Sequence, residues 1–326
     1  MKIKPIIVGT IGLVSASVSV AEEGVLPSGV SISGIVQVEA RFNEDYDGND
    51  SSDFVADEVG VAIEAQVHKL AKAQISFLYE EGATDLEIDE AFVTLGQSEA
   101  YLAVGQLYVP FGNFESHMIS DPLTLELGEA REKAAQVGFE TGGVYGSIYA
   151  FNGATQEGSE DKIDHYGANI GFAQETKRFS YDLGVSYISD IGDSDGLSDT
   201  LGENATSPDY GYVDGLGAHF LFKIGTVSLI GEYVTALDGF NADHFAFNGK
   251  GAEPKAWNAE MGYSFEIAGK ETTLALGYQG TEEMVAMELP ETRVLAGFSV
   301  GIYENTTFSF EYARDEDYDE SDGGDR

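Results

Sequence analysis

The sequence predicts an all-β protein, a transmembrane antiparallel β-barrel of about 16 strands. Apolar residues alternate with polar or small residues along many segments, as expected when one face of each strand meets lipid. The connections between these segments alternate between long acidic links and short links. After the N-terminus there is no uninterrupted apolar run of roughly 18 residues, so transmembrane helices are excluded.

Composition excludes several classes of partner and site. The chain has 326 residues, no Cys and a formal net charge of -40. So large an acidic excess argues against nucleic acid as a partner, and against attachment to anionic lipid through basic patches. The absence of Cys removes disulfides, thiolate metal sites and cysteine nucleophiles. The 40 Gly, 17 Tyr and 19 Phe suit the tight turns and aromatic girdles of a membrane barrel.

The N-terminus predicts export. Lys2 and Lys4 precede a mostly apolar stretch that ends in the small-x-small sequence Ser19-Val20-Ala21. We therefore expect a cleaved signal peptide over residues 1–21, a short periplasmic segment over 22–30 and a barrel over 31–326. The alternative is a short buried helix. Export predicts a place in the bacterial outer membrane, with its lipid as a partner.

Period-two alternation predicts each strand. Between Ala256 and Ile267, for example, Trp257, Met261 and Phe265 share one face, and the other face carries polar or small residues. A helix would not sort the residues in this way, because its period is 3.6. The same pattern predicts fifteen strands, at 31–43, 55–68, 71–81, 87–97, 100–110, 133–140, 143–152, 163–174, 178–190, 211–224, 227–238, 254–267, 270–281, 292–302 and 305–315.

The links between strands predict the orientation. Long acidic links cover 44–54, 82–86, 111–132, 153–162, 191–210, 238–253 and 282–291, whereas the others contain two or three residues. Outer-membrane barrels have long extracellular loops and short periplasmic turns, an alternation that a soluble β-sandwich does not require. Single-chain bacterial barrels have even strand numbers. We therefore expect the last strand to be missing from these residues and to follow Arg326, the alternative being a strand upstream that the pattern does not reveal.

The third long link, 111–132, differs from the others because it contains many apolar residues, among them Phe114, Leu123 and Leu127. A solvated external loop needs no such side chains, so we expect this loop to fold into the lumen. The alternatives are a cap over the mouth and a contact between subunits. Folding inward would make these residues the pore constriction: Glu115, His117, Asp121, Glu126 and Arg131.

The same region carries a resemblance to a known family. The stretch GQLYVPFGNFESHMISDPLTLELGEARE, from Gly105 to Glu132, resembles the legiobactin-receptor-type (LbtU-like) siderophore porins, and the segments 89–91, 136–139 and 149–153 fit as well. The resemblance implies a sixteen-strand barrel without a plug domain. It also implies passive uptake of a ferric siderophore, and hence of iron, or passage of small solutes generally. Porin folds commonly form trimers, so a homotrimer is a further expectation.

The inward faces of the strands predict the charge of the lumen. Five candidate wall residues are Glu39, Arg41, Glu64, Lys72 and Arg293. Six further acids complete the set: Glu58, Glu90, Asp182, Glu232, Glu260 and Glu311. Eight acids against three bases favour the alternative function, a general cation-preferring diffusion porin. An anionic ferric complex would then need screening by salt, divalent ions on the loops, or a basic spot at Arg41, Arg131 and Lys133.

Two motifs are weaker. Asp45, Asp47 and Asn49 have the opening spacing of a calcium loop, but Gly is missing at the sixth position and the distal Glu is absent. An acidic external loop is the preferred interpretation, so no cofactor is expected beyond Ca²⁺ on such loops. The GxSxG sequence at 297–301 lies inside a predicted strand, whereas a catalytic serine needs a strand-to-helix turn. We therefore expect that this protein is not an enzyme.

Overall fold

A computed structural model shows a closed antiparallel barrel and describes residues 6–16, 18–20, 29–46, 48–153, 162–204 and 211–324. Fifteen long strands follow two N-terminal ones, and a two-residue pair, β14 and β15, lies in a loop. The strands are β1 Ile6–Ala16, β2 Val18–Val20, β3 Val30–Glu44, β4 Asp50–His68, β5 Ala71–Glu80, β6 Thr84–Gln97, β7 Ala100–Tyr108, β8 Arg131–Thr141, β9 Val144–Asn152, β10 His165–Glu175, β11 Phe179–Ile188, β12 Gly215–Ile224, β13 Val227–Ala236, β14 Ala246–Phe247, β15 Lys250–Gly251, β16 Lys255–Ile267, β17 Lys270–Glu282, β18 Thr292–Tyr303 and β19 Thr306–Glu316.

Each long strand pairs with the next one along the chain, and β1 closes the circle. Ile6–Ala16 pairs with β19 on one side and with β3 on the other, both antiparallel. The sixteenth position is thus occupied by an upstream segment, the one predicted as a signal peptide. Cleavage of that segment stays a prediction. Residues 21–28, which include most of the predicted periplasmic segment, lie outside the described residues.

All fifteen predicted strands are present, so the predicted fold class is confirmed. The bounds agree to within about two residues at most ends, as for 254–267 against Lys255–Ile267. The main differences are β4, which starts at Asp50, and β12, which starts at Gly215. β4 is longer than predicted and β12 is shorter. Both differences lie at the long-loop end, where the polar sequence has no alternation to mark a boundary.

The outer surface of the barrel is apolar. Side chains at alternate positions are largely exposed, as in Val61 (42%), Ile148 (66%) and Leu276 (57%). Aromatic rings gather near the short-turn end, where Phe179 stacks on Tyr181 and Tyr263 stacks on Phe265. An apolar band with an aromatic rim is the surface that a lipid bilayer requires.

The long links carry structure of their own. Loop 3 (residues 109–130) contains helix α1, Leu123–Gly128, and loop 5 (189–214) contains helix α2, Asp195–Asn204. Within the described ranges, no helix has the length and apolar character needed to cross a membrane. Short 3-10 helices cover Ile191–Asp193, Val285–Met287 and Glu320–Asp322.

A hydrophobic core fills the long-loop end on one side of the barrel. Leu127 of α1, Leu197 and Leu201 of α2, and Phe240 and Phe245 of loop 6 (237–254) are almost fully buried. Burying one such side chain contributes about 1.5–3 kcal/mol. The loops therefore pack into one unit, and this unit positions loop 3.

Candidate functional site

Loop 3 leaves the wall between β7 and β8 and contacts strands on the far side of the barrel. Its backbone and side chains bond to β11, β13, β16, β17 and β19, more than 70 residues away in sequence. The inward faces of β3 to β6 make none of these bonds. The space beside the loop is therefore bordered by β3–β6, and this is the candidate site.

Glu232 holds the start of loop 3. Its carboxylate, on the inward face of β13, accepts hydrogen bonds from the backbone N–H of Asn113 (2.6 Å) and of Phe114 (3.1 Å). The Thr124 hydroxyl donates a third bond at 2.8 Å. Glu232 is 6% exposed. A buried carboxylate is stabilised by several such donors, and here the donors belong to the loop.

Glu260 and Glu311 hold the middle of the loop in the same way. Glu260 of β16 accepts from the His117 N–H at 2.7 Å and from the Ser116 hydroxyl at 2.8 Å. Glu311 of β19 accepts from the N–H groups of Ile119 and Ser120, at 2.6 and 3.2 Å, and from the Ser120 hydroxyl at 2.6 Å. Both are buried. These acids were expected to line the lumen, but the loop covers them.

Apolar contacts also hold loop 3 against the inner wall. The α1 helix packs against β13, β16 and β17, with Leu123 and Leu127 fully buried. Met118 lies against two inward glycines, because a Cβ at Gly277 or Gly297 would come within 3.1 or 3.0 Å of its side chain. Gly297 belongs to the GxSxG sequence. Its place beneath Met118, within β18, explains that glycine without a catalytic role.

An acidic cluster faces the open space. Asp121, Glu126 and Glu129 of loop 3 interact with one another or with acids of the opposite wall. Those wall acids, at the end of β5 and on β4 and β6, are Asp57, Glu58, Glu80 and Asp89. We call these seven residues the acidic cluster. Asp121 is exposed to the lumen although the wall and the loop surround it.

The pKa values of the loop members are raised. Partial desolvation by the surrounding loop and wall, with repulsion from Glu126 and Asp57, raises the pKa of Asp121 to about 6. Burial, with repulsion from Asp195 and Asp121, raises the pKa of Glu129 to about 8. Burial also raises the pKa of Glu126, against the attraction of Arg293. Each raised pKa means that the carboxyl binds its proton more tightly in the folded chain than a free carboxyl does.

We therefore expect the negative charge of the cluster to fall as pH is lowered from 9 to 5. Glu129 gains a proton first, near pH 8, and Asp121 follows near pH 6. Ordinary carboxyls titrate near pH 4. The reversal potential of purified protein in a planar bilayer under a KCl gradient would measure this as declining cation preference. The D121N/E129Q variant should give a much smaller change over the same range, because only Glu126 among the loop members can still titrate. A wild-type profile that changes only below pH 5 would contradict the assignment.

The five predicted wall residues are all in ion pairs. Arg41 binds Glu39 at 2.8 Å and also pairs with Asp57. Lys72 binds Glu64 at 2.8 Å. Arg293 binds both carboxylate oxygens of Asp315 at 2.8 Å. Each base is therefore neutralised by a neighbouring strand, and the wall gains no free positive charge from these residues.

The five predicted constriction residues separate into two groups. Asp121 and Glu126 belong to the acidic cluster, and Arg131 lies beside it on β8, bonded to Glu87 (2.5 Å) and Asp89 (3.2 Å). Glu115 and His117 instead line a cavity of about 490 Å³ toward the short-turn end. The ring of His117 is held there by the Ser228 hydroxyl, at 2.7 Å from Nε2.

The predicted basic spot does not form in the lumen. Arg41 and Arg131 are paired with carboxylates. Lys133 occupies the same face of β8 as Val137, which is 54% exposed on the outer surface. The alternation of the strand places it outward, because Ala134 and Gln136 take the inward positions.

The calcium candidate forms a turn in the described part of that loop. Both carboxylate oxygens of Asp45 accept hydrogen bonds from Asn49, from its backbone N–H and its side-chain amide, each at 2.8 Å. Asp47 lies outside the described residues. Calcium binding there stays a prediction.

A closed antiparallel barrel with its third loop lying against the inner wall is the fold of outer-membrane porins. The channel DcaP of Acinetobacter baumannii has a TM-score of 0.55 at 13% identity, covering 96% of both chains. An anion-selective porin from Comamonas acidovorans has a TM-score of 0.53 at 9% identity, covering 95% of this chain and 98% of the other. OprB of Pseudomonas putida has a TM-score of 0.51 at 7% identity, covering 96% and 93%.

The sequence relatives are UPF0422 proteins. One from Coxiella burnetii is 31% identical over 240 residues, which are 71% of this chain and 51% of that protein. Another, from Legionella pneumophila strain Lens, is 27% identical over 323 residues, covering 89% of this chain and 59% of that protein. The chain thus spans about half the length of the curated relatives it matches. No protein-family model matches it.

Proposed function

We propose that this chain forms an outer-membrane diffusion pore that prefers small cations. The observation that carries the proposal is the acidic cluster, formed where loop 3 approaches β4–β6. Loop acids meet wall acids there, and the nearby guanidinium groups of Arg131 and Arg293 are already bonded to carboxylates. A passage lined by one sign of charge concentrates ions of the opposite sign.

The cation preference rests on the side chains of this chain rather than on its fold. One structural neighbour with the same architecture is an anion-selective porin. The fold therefore accommodates either preference, and the charges at the narrow part decide between them. Here the cluster contains seven acids, of which Asp57 and Asp89 have basic partners.

Planar-bilayer recording tests the proposal. The purified full-length chain should give discrete conductance steps. Under a tenfold KCl gradient, the reversal potential should have the same sign as the equilibrium potential of potassium. Conductance without cation preference would contradict the proposed role of the acidic cluster. Heat-modifiable migration on a gel shows whether the protein is folded. If folded protein gives no conductance, the proposal that the chain forms a pore is contradicted.

The second candidate is passive uptake of a ferric siderophore. Its support is the resemblance of residues 105–132 to siderophore porins, the segment that forms most of loop 3 and the acids Asp121, Glu126 and Glu129. A ferric complex carried here would need to be cationic or neutral, since the cluster repels anions. Iron-limited growth on a ferric siderophore, with and without the gene, tests this candidate. Equal growth of the two strains would contradict it.

The outer-membrane location and a homotrimer belong to the same proposal. The apolar outer surface supports the location, because it would be unstable in water. Heterologous expression followed by membrane fractionation and cross-linking would check both. Recovery in the inner-membrane fraction, or a cross-linked product no larger than a monomer, would contradict them.

A further inference from the structure

A buried cluster of potential metal ligands lies at the long-loop end of β10. His165 begins that strand, Asp190 is the N-cap of the 3-10 helix of loop 5, and Asp193 is the last residue of that helix. The three residues are 2%, 0% and 2% exposed. One potential ligand atom from each lies within 4.8 Å of the others. None of the three belongs to the acidic cluster or to the wall residues that hold loop 3.

The surrounding chain holds these side chains in place. One carboxylate oxygen of Asp190 accepts from the N–H groups of Gly192 (3.0 Å) and Val213 (3.1 Å). Gly153 leaves room for Asp193, since a Cβ there would lie 2.3 Å from its Oδ2. The imidazole of His165 packs between aromatic rings, with Phe151 and Tyr212 at centroid distances of 5.4 and 4.5 Å.

The imidazole of His165 lacks the hydrogen bonds that its burial demands. Nδ1 lies 3.0 Å from Oδ2 of Asp193, but neither ring nitrogen makes a hydrogen bond of acceptable geometry. Leaving a buried polar group without such a bond costs about 1–3 kcal/mol. The buried carboxylates of Asp190 and Asp193 lie beside this ring. One ring nitrogen and two carboxylate oxygens thus come together among buried side chains.

We propose that His165, Asp190 and Asp193 bind a divalent transition-metal ion, with Zn²⁺ as the best fit. Zinc accepts both imidazole and carboxylate ligands, at about 2.0–2.2 Å. Ligand atoms around one such ion lie at most about 4.2 Å apart, so a separation of 4.8 Å closes with small movements. Calcium fits less well, because it takes oxygen ligands only and the imidazole would be left out.

The ion would fasten loop 5 to the barrel wall. Two residues after Asp193, the N–H of Asp195 donates to the Glu129 carbonyl at 2.8 Å, and α1 packs against α2. The metal site therefore stands next to the contact between loop 5 and loop 3. Binding would stabilise the folded chain, and this stabilisation would rise with the logarithm of ion concentration above the dissociation constant.

Calorimetric titration of the full chain, refolded in detergent and stripped with EDTA, tests the proposal with Zn²⁺ alone. We expect one ion per chain and a higher Tm with zinc. H165A and D193N should each weaken zinc binding about tenfold or more. Co²⁺ gives an independent readout, because its visible absorption should change when the His165 nitrogen ligand is removed.

H219A is the matched control. His219 is also largely buried beside an aspartate, with its Nε2 3.6 Å from Oδ1 of Asp182, but it has one carboxylate neighbour in place of two. This variant should bind one zinc as the wild type does. Heat-modifiable gel migration shows which variants fold, and D193N keeps the test decisive if H165A does not. The absence of zinc binding in wild type, or unchanged binding in a folded H165A or D193N variant, would overturn the proposal.

Discussion

Replacing the three buried glutamates that hold loop 3, as E232A/E260A/E311A, is expected to raise single-channel conductance several-fold. Together the three carboxylates accept eight hydrogen bonds from the loop. Five of the donors are backbone N–H groups, and a buried donor without a partner costs about 1–3 kcal/mol. With the acceptors gone, the loop gains more by leaving the wall and binding water, and the passage widens.

Single substitutions should give graded effects. E232A removes the acceptor for the start of the loop, where Thr124 also bonds. We expect it to increase conductance less than the triple variant, because Glu260 and Glu311 still hold the middle of the loop. Planar-bilayer conductance histograms, with heat-modifiable migration as the check on folding, measure both variants.

E64A is the matched control for this prediction. Glu64 also lies on the inward face but bonds to Lys72 and not to loop 3. Its removal should leave the conductance within about twofold of wild type. If the folded triple variant has wild-type conductance, loop 3 does not limit the passage of ions.

Neutralising the loop side of the acidic cluster, as D121N/E126Q/E129Q, is expected to lower the cation-to-anion permeability ratio several-fold. The change removes three acids of the cluster, of which Asp121 and Glu129 interact with Glu80 of the wall. Arg131 and Arg293 stay, so the balance of charge beside the loop moves toward neutral. In a narrow passage walled by protein, such charges are weakly screened and act strongly on permeating ions.

A variant with an equal change of net charge elsewhere provides the comparison. E99Q/E271Q/E304Q removes three exposed acids at or next to the short turns. Its permeability ratio should stay close to that of wild type, measured from reversal potentials at pH 9, where the cluster is most charged. A similar drop in both triple variants would show that overall charge, rather than the cluster, sets the preference.

The strands were predictable because their signal is local. Between Lys255 and Ile267 every inward position is polar or small and every outward one is apolar or alanine, apart from the terminal residues, so five or six residues suffice to assign the faces. The segment Ile6–Ala16 shows the limit of such reasoning. An apolar stretch of that length suits both a signal peptide and a strand, so its sequence did not reveal the pairing with β3 and β19, and its cleavage stays a prediction.

The wall residues that hold loop 3 could not be predicted from the sequence. Glu232, Glu260 and Glu311 occupy inward positions just as Glu64 does, and nothing beside them in the chain reveals that their partners lie 108 to 192 residues away. The six-residue helix α1 is too short to show a helical period. The apolar residues of the loop did indicate packing, but not the surface against which they pack.

The way loop 3 is attached separates two properties that a pore has to combine. Its path is held mainly through backbone amides, such as those of Asn113, His117 and Ile119, which any non-proline residue would supply. Its charge resides in side chains such as Asp121, which are exposed and take no part in that attachment. Substitution could therefore change which ions pass while the loop keeps its course, so that one scaffold could serve different solutes with few mutations.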